Sequence, residues 1–343
     1  MTFSAPSFAK INIGLRIGVS RADGYHELRT VYQTIALHDI VKVQLRRGRG
    51  IEILCSHPRV PTDESNTCYR IVERAADALG VKAGVVIEID KRLPVQGGLG
   101  AGSANAASAL LLLQRALKKK LPQDENLRIT AEIGSDVPLF LIGGTVLGTG
   151  HGDEVYPLAD IPPLACVIAL PDIAVSTPEA FQEWDRLLER QQNECTLPPD
   201  TAGLTRENCS DRLGEFSRSV SAWLDARSGL SPGRALSGVP GAKHGGRAEI
   251  LLLDLVRTGI ENDFERVVFT LYPELREVKR TLEMAGAVYA SLSGSGSAVY
   301  GLFASRAQAV GAASKLKKAG IAAVATQTLT RPQYWKRLLA TGS

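Results

Sequence analysis

The strongest constraint on the fold is a glycine-rich stretch that runs directly into an apolar helix. Residues 94–113 read PVQGGLGAGSANAASALLLL, so little in the first half can pack and the second half is almost unbroken alanine and leucine. Glycines leave backbone N–H groups unshielded, and a helix N-terminus adds the positive end of its dipole. Because this combination binds anions, most often phosphate, we predict a phosphate site where the loop meets its helix.

Two common nucleotide-binding motifs do not match this loop. The P-loop pattern requires a lysine directly after Gly102, and the dinucleotide pattern requires a third glycine where Ser103 stands. A structural alternative is a loose turn followed by a helix that the Ser103 side chain caps. The glycines alone leave both interpretations open.

Composition limits the class of protein. A chain of 343 residues exceeds the usual size of one hydrophobic core, which favours two domains. The net charge is only +4 and the basic residues are scattered, so we expect neither nucleic acid nor a membrane as a partner. The five cysteines are far apart and never in a C-x-x-C pair, which is typical of a reducing compartment. With no leader and no long apolar run, we expect a cytoplasmic protein.

Hydrophobic patterning divides the chain into two parts. Strands are predicted in FAKINIGLRI, whose side chains alternate between two faces, and in TVYQTI, IVKVQL, IEILCS and VVIEIDKRL. Helices are predicted from Asn66 to a cap at Gly80 and around 125–133. We place the domain boundary near ADIPPLACVIAL, which gives domains of 1–160 and 161–343.

The second part combines helices, strands and an unusual insert. Residues 191–247 are rich in proline, glycine and polar residues, so we predict that much of this insert is mobile. Five apolar residues at helical spacing inside it predict one packed helix: Leu213, Phe216, Val220, Trp223 and Leu224. Beyond it we expect helices in NDFERVVF, PELREVKRTLEMAG and 307–318, and strands in AVATQTL and on both sides of the turn SGSGSA.

Four motifs together resemble one enzyme family. PVQGGLGAGSANAA is similar to the phosphate loop of the GHMP (galactokinase, homoserine, mevalonate, phosphomevalonate) kinase superfamily. AKINIGLRI with RADGYHELRTVYQTI, then GSDVPLFLIGGTVLGTGHGDEVYPL, then SLSGSGSAVYGLF, follow the order found in its 4-diphosphocytidyl-2-C-methyl-D-erythritol kinases. The resemblance covers nearly all of the chain outside the insert. It implies an α+β, two-domain GHMP kinase fold, with an N-terminal ribosomal-protein-S5-like domain, a C-terminal ferredoxin-like α/β domain and an active site in the cleft between them.

The resemblance implies a catalytic pair. Asp136, in GSDVP, matches the aspartate that accepts the proton of the substrate hydroxyl, and Lys10, in FAKIN, matches the lysine that keeps this aspartate ionised. Taken alone, Asp136 could instead cap the helix entered through Val137 and Pro138. Lys10 could be an outward residue of a first strand.

The resemblance also implies two sets of ligand contacts. The acceptor substrate is expected to contact Asn12, Tyr25, His26, Thr177 and Phe181, with the rings of Tyr25 and Phe181 against the cytosine; a core role for Phe181 is the alternative. Asn66 could cap its helix or lie near adenine. With Asn66, the expected ATP contacts are Pro94, Val95, Gln96, Gly97, Gly98, Leu99, Gly100, Ala101, Gly102, Ser103 and Ala104.

Some positions depart from the family pattern. Ala101 and Ala104 stand where the family usually has glycine and serine, and Ser135 stands where alanine is common. Ser103 keeps a hydroxyl for phosphate and magnesium, so we expect ATP binding to persist in weaker form. The turn 293–298 could approach a bound anion or could simply close a hairpin.

These features predict an ATP- and Mg²⁺-dependent kinase. The implied reaction phosphorylates the 2-hydroxyl of 4-diphosphocytidyl-2-C-methyl-D-erythritol in the non-mevalonate route to isoprenoid precursors, with a monomer or homodimer as the enzyme. No carboxylate cluster identifies the protein ligands of the metal. The alternatives are a superfamily kinase for homoserine or mevalonate, and a protein of the same fold that senses a nucleotide or sugar without catalysis.

Overall fold

The structure is a computed structural model that describes residues 1–194, 206–225 and 247–340. The prediction of a mobile insert falls largely on residues 195–205 and 226–246, which lie outside the described residues. Across the described ranges, no helix combines the length and the apolar composition that a membrane span requires.

The described chain forms two compact units, and each unit is assembled from separate segments. Unit 1 contains residues 1–11, 32–160 and 329–343, and unit 2 contains 12–31 and 161–328. Strands β1 (Thr2–Ser20) and β2 (His26–Arg46) therefore contribute residues to both units. The domain boundary at 160/161 stays a prediction, because compactness by itself does not define an independent domain.

A mixed sheet and a set of helices form the core of unit 1. Its further strands are β3 (Ile51–Leu54), β4 (Gly84–Asp90), β5 (Thr145–Thr149) and β6 (Glu154–Pro157). The strand order is β3-β4-β2-β5-β6, with β1 paired to β2. The helices are α1 (Thr67–Ala78), α2 (Ala101–Leu117), α3 (Gln123–Ile133), a 3₁₀ helix (Pro138–Leu141) and α10 (Arg331–Ala340). Helix α2 is the alanine–leucine run, and it is buried along most of its length, as an all-apolar helix should be.

Unit 2 contains a four-stranded antiparallel sheet of ferredoxin-like order. Its strands are β7 (Ala165–Leu170), β8 (Tyr289–Leu292), β9 (Val299–Phe303) and β10 (Ala322–Gln327), arranged β10-β7-β9-β8. Its helices are α4 (Thr177–Glu194), α5 (Arg206–Asp225), α6 (Arg247–Arg257), α7 (Phe264–Leu271), α8 (Pro273–Met284) and α9 (Arg306–Lys318). The succession β7, helices, β8, β9, α9, β10 is the β-α-β-β-α-β pattern expected for this part of the chain.

The first two strands differ from their sequence-based prediction. The alternation predicted for FAKINIGLRI is wrong, because residues 5–15 are all buried and neither face of β1 is open. TVYQTI and IVKVQL, predicted as two strands, lie in one strand of 21 residues. Asp39 interrupts the apolar pattern there, but it is fully buried and its carboxylate pairs with Lys91 at 2.6 Å.

The packed helix predicted inside the insert is confirmed. Helix α5 buries four of the five predicted side chains, and Leu224 is half-buried. A Cβ added to Gly14 would lie 2.8 Å from the Phe216 ring, and one added to Gly18 would lie 2.8 Å from Leu213. The insert helix therefore packs directly on the glycine positions of β1 in unit 2.

Candidate active site

The glycine loop forms one wall of a cavity of about 360 Å³ in unit 1. Three loop residues have positive φ: Gln96 at 64°, Gly98 at 70° and Gly100 at 66°. This left-handed backbone curls the chain so that it enters α2 without a side-chain cap. The size falls in the range of small-ligand sites.

Nearly all the predicted ATP contacts line this cavity. These lining residues are Asn66 and residues 94–103. The cavity is also lined by four residues that no sequence motif indicated: Arg59, Thr67, Lys91 and Asn105. Ala104 does not line it, because that residue is buried and its N–H donates to the Gly100 carbonyl oxygen within the helix. The predicted ATP contact of Ala104 therefore has no support in this geometry.

The helix after the loop begins earlier than predicted. Its first residue is Ala101 and its N-cap is Gly100, so Ser103 is the third helical residue and not a cap. The alternative in which Ser103 caps the helix is therefore wrong. The N–H groups of Ala101, Gly102 and Ser103 belong to the first turn, where a helix has no internal acceptors for them. They lie beside the cavity with the positive end of the dipole.

The loop is joined to the first strand through Lys10. The backbone N–H of Lys10 donates to the Leu99 carbonyl oxygen at 3.0 Å. A Cβ on Gly100 would lie 3.1 Å from both Cγ and Cε of Lys10 and 3.2 Å from Cζ of Phe140. Glycine is favoured at this position, because its φ of 66° strains other residues and a Cβ would require Lys10 or Phe140 to shift.

Lys10 and Asp136 form an ion pair. The Lys10 Nζ lies 3.1 Å from Asp136 Oδ2, and the lysine side chain is only 4% exposed. Both simple alternatives are therefore wrong: Lys10 is not an outward residue, and the 3₁₀ helix that follows Asp136 has no side-chain cap. A buried ammonium needs a partner of opposite charge, and the partly exposed carboxylate provides it.

Tyr32 is a further component of this site that the sequence did not indicate. Its buried ring lies under Lys10, with Nζ 5.5 Å from the ring centroid. Burial, reinforced by the charge of Asp136 and a hydrogen bond with it, raises the pKa of the Tyr32 hydroxyl well above its usual value of 10.0. The hydroxyl donates to the Gly152 carbonyl oxygen at 3.2 Å. Tyr32 is therefore a neutral phenol near the carboxylate of Asp136.

The base of the loop is fixed by a buried ion pair. Asp39 is fully buried, and its carboxylate accepts from the backbone N–H groups of Arg92 and Leu93, each at 2.7 Å. The same carboxylate pairs with Lys91 at 2.6 Å, and Lys91 lines the cavity. These contacts hold Lys91, Arg92 and Leu93, the three residues directly before Pro94, where the loop starts.

Asn66 has a structural role that does not conflict with a role in binding. Its side-chain oxygen accepts from the Cys68 N–H at 2.8 Å, which makes it the N-cap of α1, and its amide donates to the Pro61 carbonyl oxygen at 2.6 Å. It also lines the cavity. Thr67, the next residue, donates its hydroxyl to the Gly102 carbonyl oxygen at 3.1 Å. Helix α1 is thereby joined to the first turn of α2.

The predicted acceptor contacts all belong to unit 2. Asn12 is buried, and its amide donates to the Thr30 hydroxyl at 2.8 Å, while the Tyr300 hydroxyl donates to its carbonyl oxygen at 2.8 Å. Thr177 and Ser295 share a hydroxyl–hydroxyl hydrogen bond of 2.7 Å. The turn 293–298 connects β8 to β9 as a hairpin and meets the start of α4 through this bond.

The rings of His26 and Phe181 contact each other. Tyr25 is at the tip of a turn and is 63% exposed. The His26 ring stacks on the Phe181 ring, with centroids 5.0 Å apart and planes 12° apart, and its Nε2 lies 2.7 Å from Asp185 Oδ1. Phe181 also meets the edge of Phe264. The structure thus adds Asp185 to the residues of this group.

No dedicated metal cluster is found in the described ranges. Among these residues, no three His, Cys, Asp or Glu side chains group together to hold a metal ion. Mg²⁺ typically keeps several waters and binds through one or two carboxylates and the phosphates of a substrate. The Ser103 hydroxyl at the cavity and the carboxylate of Asp136 are oxygen donors of the kind such an ion uses.

Comparison with known proteins gives one consistent family. The chain matches the family "GHMP kinases N terminal domain" over residues 66–144 and "GHMP kinases C terminal" over 248–322. It is 35% identical to the 4-diphosphocytidyl-2-C-methyl-D-erythritol kinase of Solibacter usitatus (strain Ellin6076), over 88% of this chain and 81% of the relative. The identity to the enzyme of the same name from Chlorobaculum parvum (strain DSM 263 / NCIMB 8327) is 34%, over 90% and 91%.

Solved structures give the same result. A crystal structure of 4-(cytidine 5'-diphospho)-2C-methyl-D-erythritol kinase superposes with a TM-score of 0.67 at 30% identity and covers 96% of this chain and 99% of its own. A homoserine kinase from Cytophaga hutchinsonii ATCC 33406 has a TM-score of 0.66 over 96% of this chain and 95% of its own, but at 19% identity it shows the fold alone. On the strength of the first match and the curated relatives, the chain belongs to the 4-diphosphocytidyl-2-C-methyl-D-erythritol kinase family of the GHMP kinases.

Proposed function

We propose that this chain catalyses the ATP-dependent phosphorylation of the 2-hydroxyl of 4-diphosphocytidyl-2-C-methyl-D-erythritol. The products are the 2-phosphate and ADP, and the reaction belongs to the non-mevalonate route to isoprenoid precursors. The observation that carries the proposal is the ion pair of Lys10 and Asp136 beside a glycine loop that forms a cavity of nucleotide-binding size. Family membership supports the same reaction.

Asp136 is the proposed base of this reaction. As the hydroxyl oxygen attacks the terminal phosphorus of ATP, the hydroxyl proton moves to the Asp136 carboxylate, and the bond to the ADP oxygen breaks. Lys10 pairs with this carboxylate and stabilises the negative charge that develops on the attacking oxygen. The buried ring of Tyr32 lies beside the Lys10 ammonium and supports its position.

The loop and the first turn of α2 are the proposed phosphate site. The backbone N–H groups of 101–103 and the helix dipole attract the phosphates, and each charged hydrogen bond contributes roughly 1.5–3 kcal/mol. A bound Mg²⁺ would neutralise charge on the phosphate oxygens, and Ser103, whose side chain carries a hydroxyl and which lines the cavity, would be the residue to hold it there.

Unit 2 carries the proposed recognition of the cytidine part. Asn12, Tyr25, His26, Thr177 and Phe181 stay the predicted contacts. The exposed Tyr25 ring is suited to stacking on a base, and His26 offers a ring nitrogen for hydrogen bonding. Homoserine and mevalonate have no base to stack or pair.

We place the enzyme in the cytoplasm. Three cysteines within the described residues, Cys55, Cys68 and Cys166, are free thiols. Burial raises the pKa of Cys68 to about 12, so this thiol is unreactive at neutral pH. Unpaired, unreactive thiols suit a reducing compartment.

A substrate panel tests the proposal. The purified chain is incubated with ATP and Mg²⁺ and with one of three alcohols: the cytidylyl substrate, homoserine or mevalonate. ADP should form at a high rate only with the cytidylyl substrate, and the product should carry the new phosphate on the 2-oxygen by ³¹P NMR. Faster turnover of homoserine or mevalonate would replace the proposed substrate, and no ADP with any alcohol would indicate a protein without this activity.

A further inference from the structure

Asp185 and His26 form a pair whose chemistry goes beyond simple packing. His26 is 6% exposed, and its Nε2 lies 2.7 Å from Asp185 Oδ1. Asp185 itself is 44% exposed, on α4 one turn beyond Phe181, whose ring stacks on the imidazole. The imidazole is therefore held on one face by an aromatic ring and at one nitrogen by a carboxylate.

The carboxylate decides which nitrogen of the neutral imidazole carries the proton. An ionised carboxylate only accepts hydrogen bonds, so Nε2 must be the N–H and Nδ1 must present its lone pair. Within the described part of the chain, Nδ1 of His26 makes no hydrogen bond. It is therefore the nitrogen that a ligand can use, and it offers an acceptor.

An acceptor at this point distinguishes two pyrimidines. Cytosine carries an exocyclic amino group that donates hydrogen bonds, whereas uracil carries a carbonyl oxygen at the same ring position. The lone pair of Nδ1 accepts a hydrogen bond from the amino group of cytosine. The carbonyl oxygen of uracil carries a partial negative charge like that of Nδ1, so the two repel each other. Because the carbonyl is then buried without a partner, the uracil nucleotide binds more weakly. The tautomer of His26 with its proton on Nε2 therefore predicts a preference for cytosine over uracil.

We propose that Asp185 is a positioning residue that keeps Nδ1 of His26 an acceptor and thereby selects a cytosine nucleotide over a uracil nucleotide. The proposal rests on the proposed function, since it assigns the cytidylyl part of that substrate to His26. Asp185 itself does not touch the reacting atoms. Its effect reaches the ligand through the orientation and tautomer of the imidazole.

The stacking geometry gives Phe181 a different role from the one expected. One face of its ring is covered by His26 and a second contact is made by Phe264, so Phe181 supports the imidazole in this conformation. Tyr25 is 63% exposed, so most of its surface is accessible to solvent. Stacking is expected from Tyr25, and hydrogen-bond selectivity from His26.

Binding of two nucleotides tests the role of Asp185 without catalysis. Isothermal titration compares CDP with UDP on the wild type, on Asp185→Ala and on the control Glu189→Ala, which removes the same charge from an exposed position on α4. The wild type and the control should prefer CDP by roughly 10-fold or more. Asp185→Ala should lower that preference to about threefold or less, mainly through weaker CDP binding.

Kinetics and a second substitution separate positioning from a structural effect. Asp185→Ala should raise KM for the cytidylyl substrate about 10-fold and leave kcat within threefold, with an unchanged melting temperature. Asp185→Asn offers either an acceptor or a donor to Nε2, so its CDP preference should fall between those of the wild type and the alanine variant. A wild type without a CDP preference, or an Asp185→Ala variant that keeps it, overturns the proposal. Failure of the proposed function would instead appear in the wild type, as absent turnover of the cytidylyl substrate.

Discussion

Gly100 and Lys10 are in direct contact, because a Cβ at position 100 would lie 3.1 Å from the Cγ and Cε atoms of the lysine. The contact joins the glycine loop to the proposed catalytic pair, because the lysine that approaches Gly100 is the one that pairs with Asp136. A change in the shape of the loop therefore changes the position of the ammonium group.

Gly100→Ala should damage both ATP binding and turnover. The residue has a φ of 66°, which costs a non-glycine residue about 1–2 kcal/mol, and the methyl group pushes against Lys10. We expect KM for ATP to rise roughly 10-fold and kcat to fall by a similar factor. Steady-state kinetics measure both. Gly311→Ala, at a helical position with open space, is the control and should leave both constants unchanged.

Lys10→Met should lower kcat and leave ATP affinity nearly unchanged. Methionine keeps the length and the apolar part of the side chain but removes the charge beside Asp136. Loss of one preorganised charge at the reacting oxygen typically reduces the rate roughly 10²–10³-fold. Rapid-quench measurement of phosphoryl transfer tests this. A rate within threefold of the wild type would remove Lys10 from the catalytic pair.

The two residues of the ion pair, Lys10 and Asp136, could be selected from the sequence, but their surroundings could not. Lys10 and Asp136 lie in motifs whose order identified them. Tyr32 is one aromatic residue in a strand, and such residues usually belong to the core. Asp39 had no role in the sequence-based prediction, because no local pattern reveals that Lys91 neutralises it across the fold.

Elements that depend on distant contacts were also missed. Helix α10 was not predicted, since ten residues with a proline at the second position give a weak signal. Its position depends on Tyr334, whose hydroxyl donates to the Phe140 carbonyl oxygen at 2.7 Å and whose ring covers Gly143. Helix α6 was also not predicted, although it begins at Arg247, where the predicted insert ends.

Buried tyrosines should make the protein sensitive to alkaline pH. Burial raises the pKa of Tyr32, Tyr289, Tyr300 and Tyr334 in the folded state, so each binds its proton more tightly when folded. Their contribution to stability is complete below pH 10 and is lost as the pH rises above it. Urea unfolding between pH 9 and 11 should show this loss. In Tyr32→Phe the total loss of stability between pH 9 and 11 should be smaller by roughly 1.4 kcal/mol, and an unchanged loss would show that Tyr32 already ionises in the fold.

Three glycine-to-alanine substitutions should have graded effects on stability. Gly311→Ala should stabilise by about 0.5–1 kcal/mol, because the site is helical and open. Gly80→Ala should cost about 1–2 kcal/mol, since φ is 62° but nothing lies within 4 Å. Gly143→Ala should cost clearly more, because φ is 70° and the new methyl would lie 2.2 Å from the Tyr334 ring. Thermal unfolding gives the order, and equal costs for Gly80 and Gly143 would contradict the packing of α10.

The most direct test of the central claim is the pairing of two measurements on Asp136→Asn: its affinity for ATP and its rate of phosphoryl transfer in a single turnover. If Asp136 is the base beside ATP bound at the glycine loop, ATP affinity should stay within threefold of the wild type while the transfer rate falls roughly 10²–10⁴-fold. A variant that keeps more than about a tenth of the wild-type transfer rate would contradict the assignment.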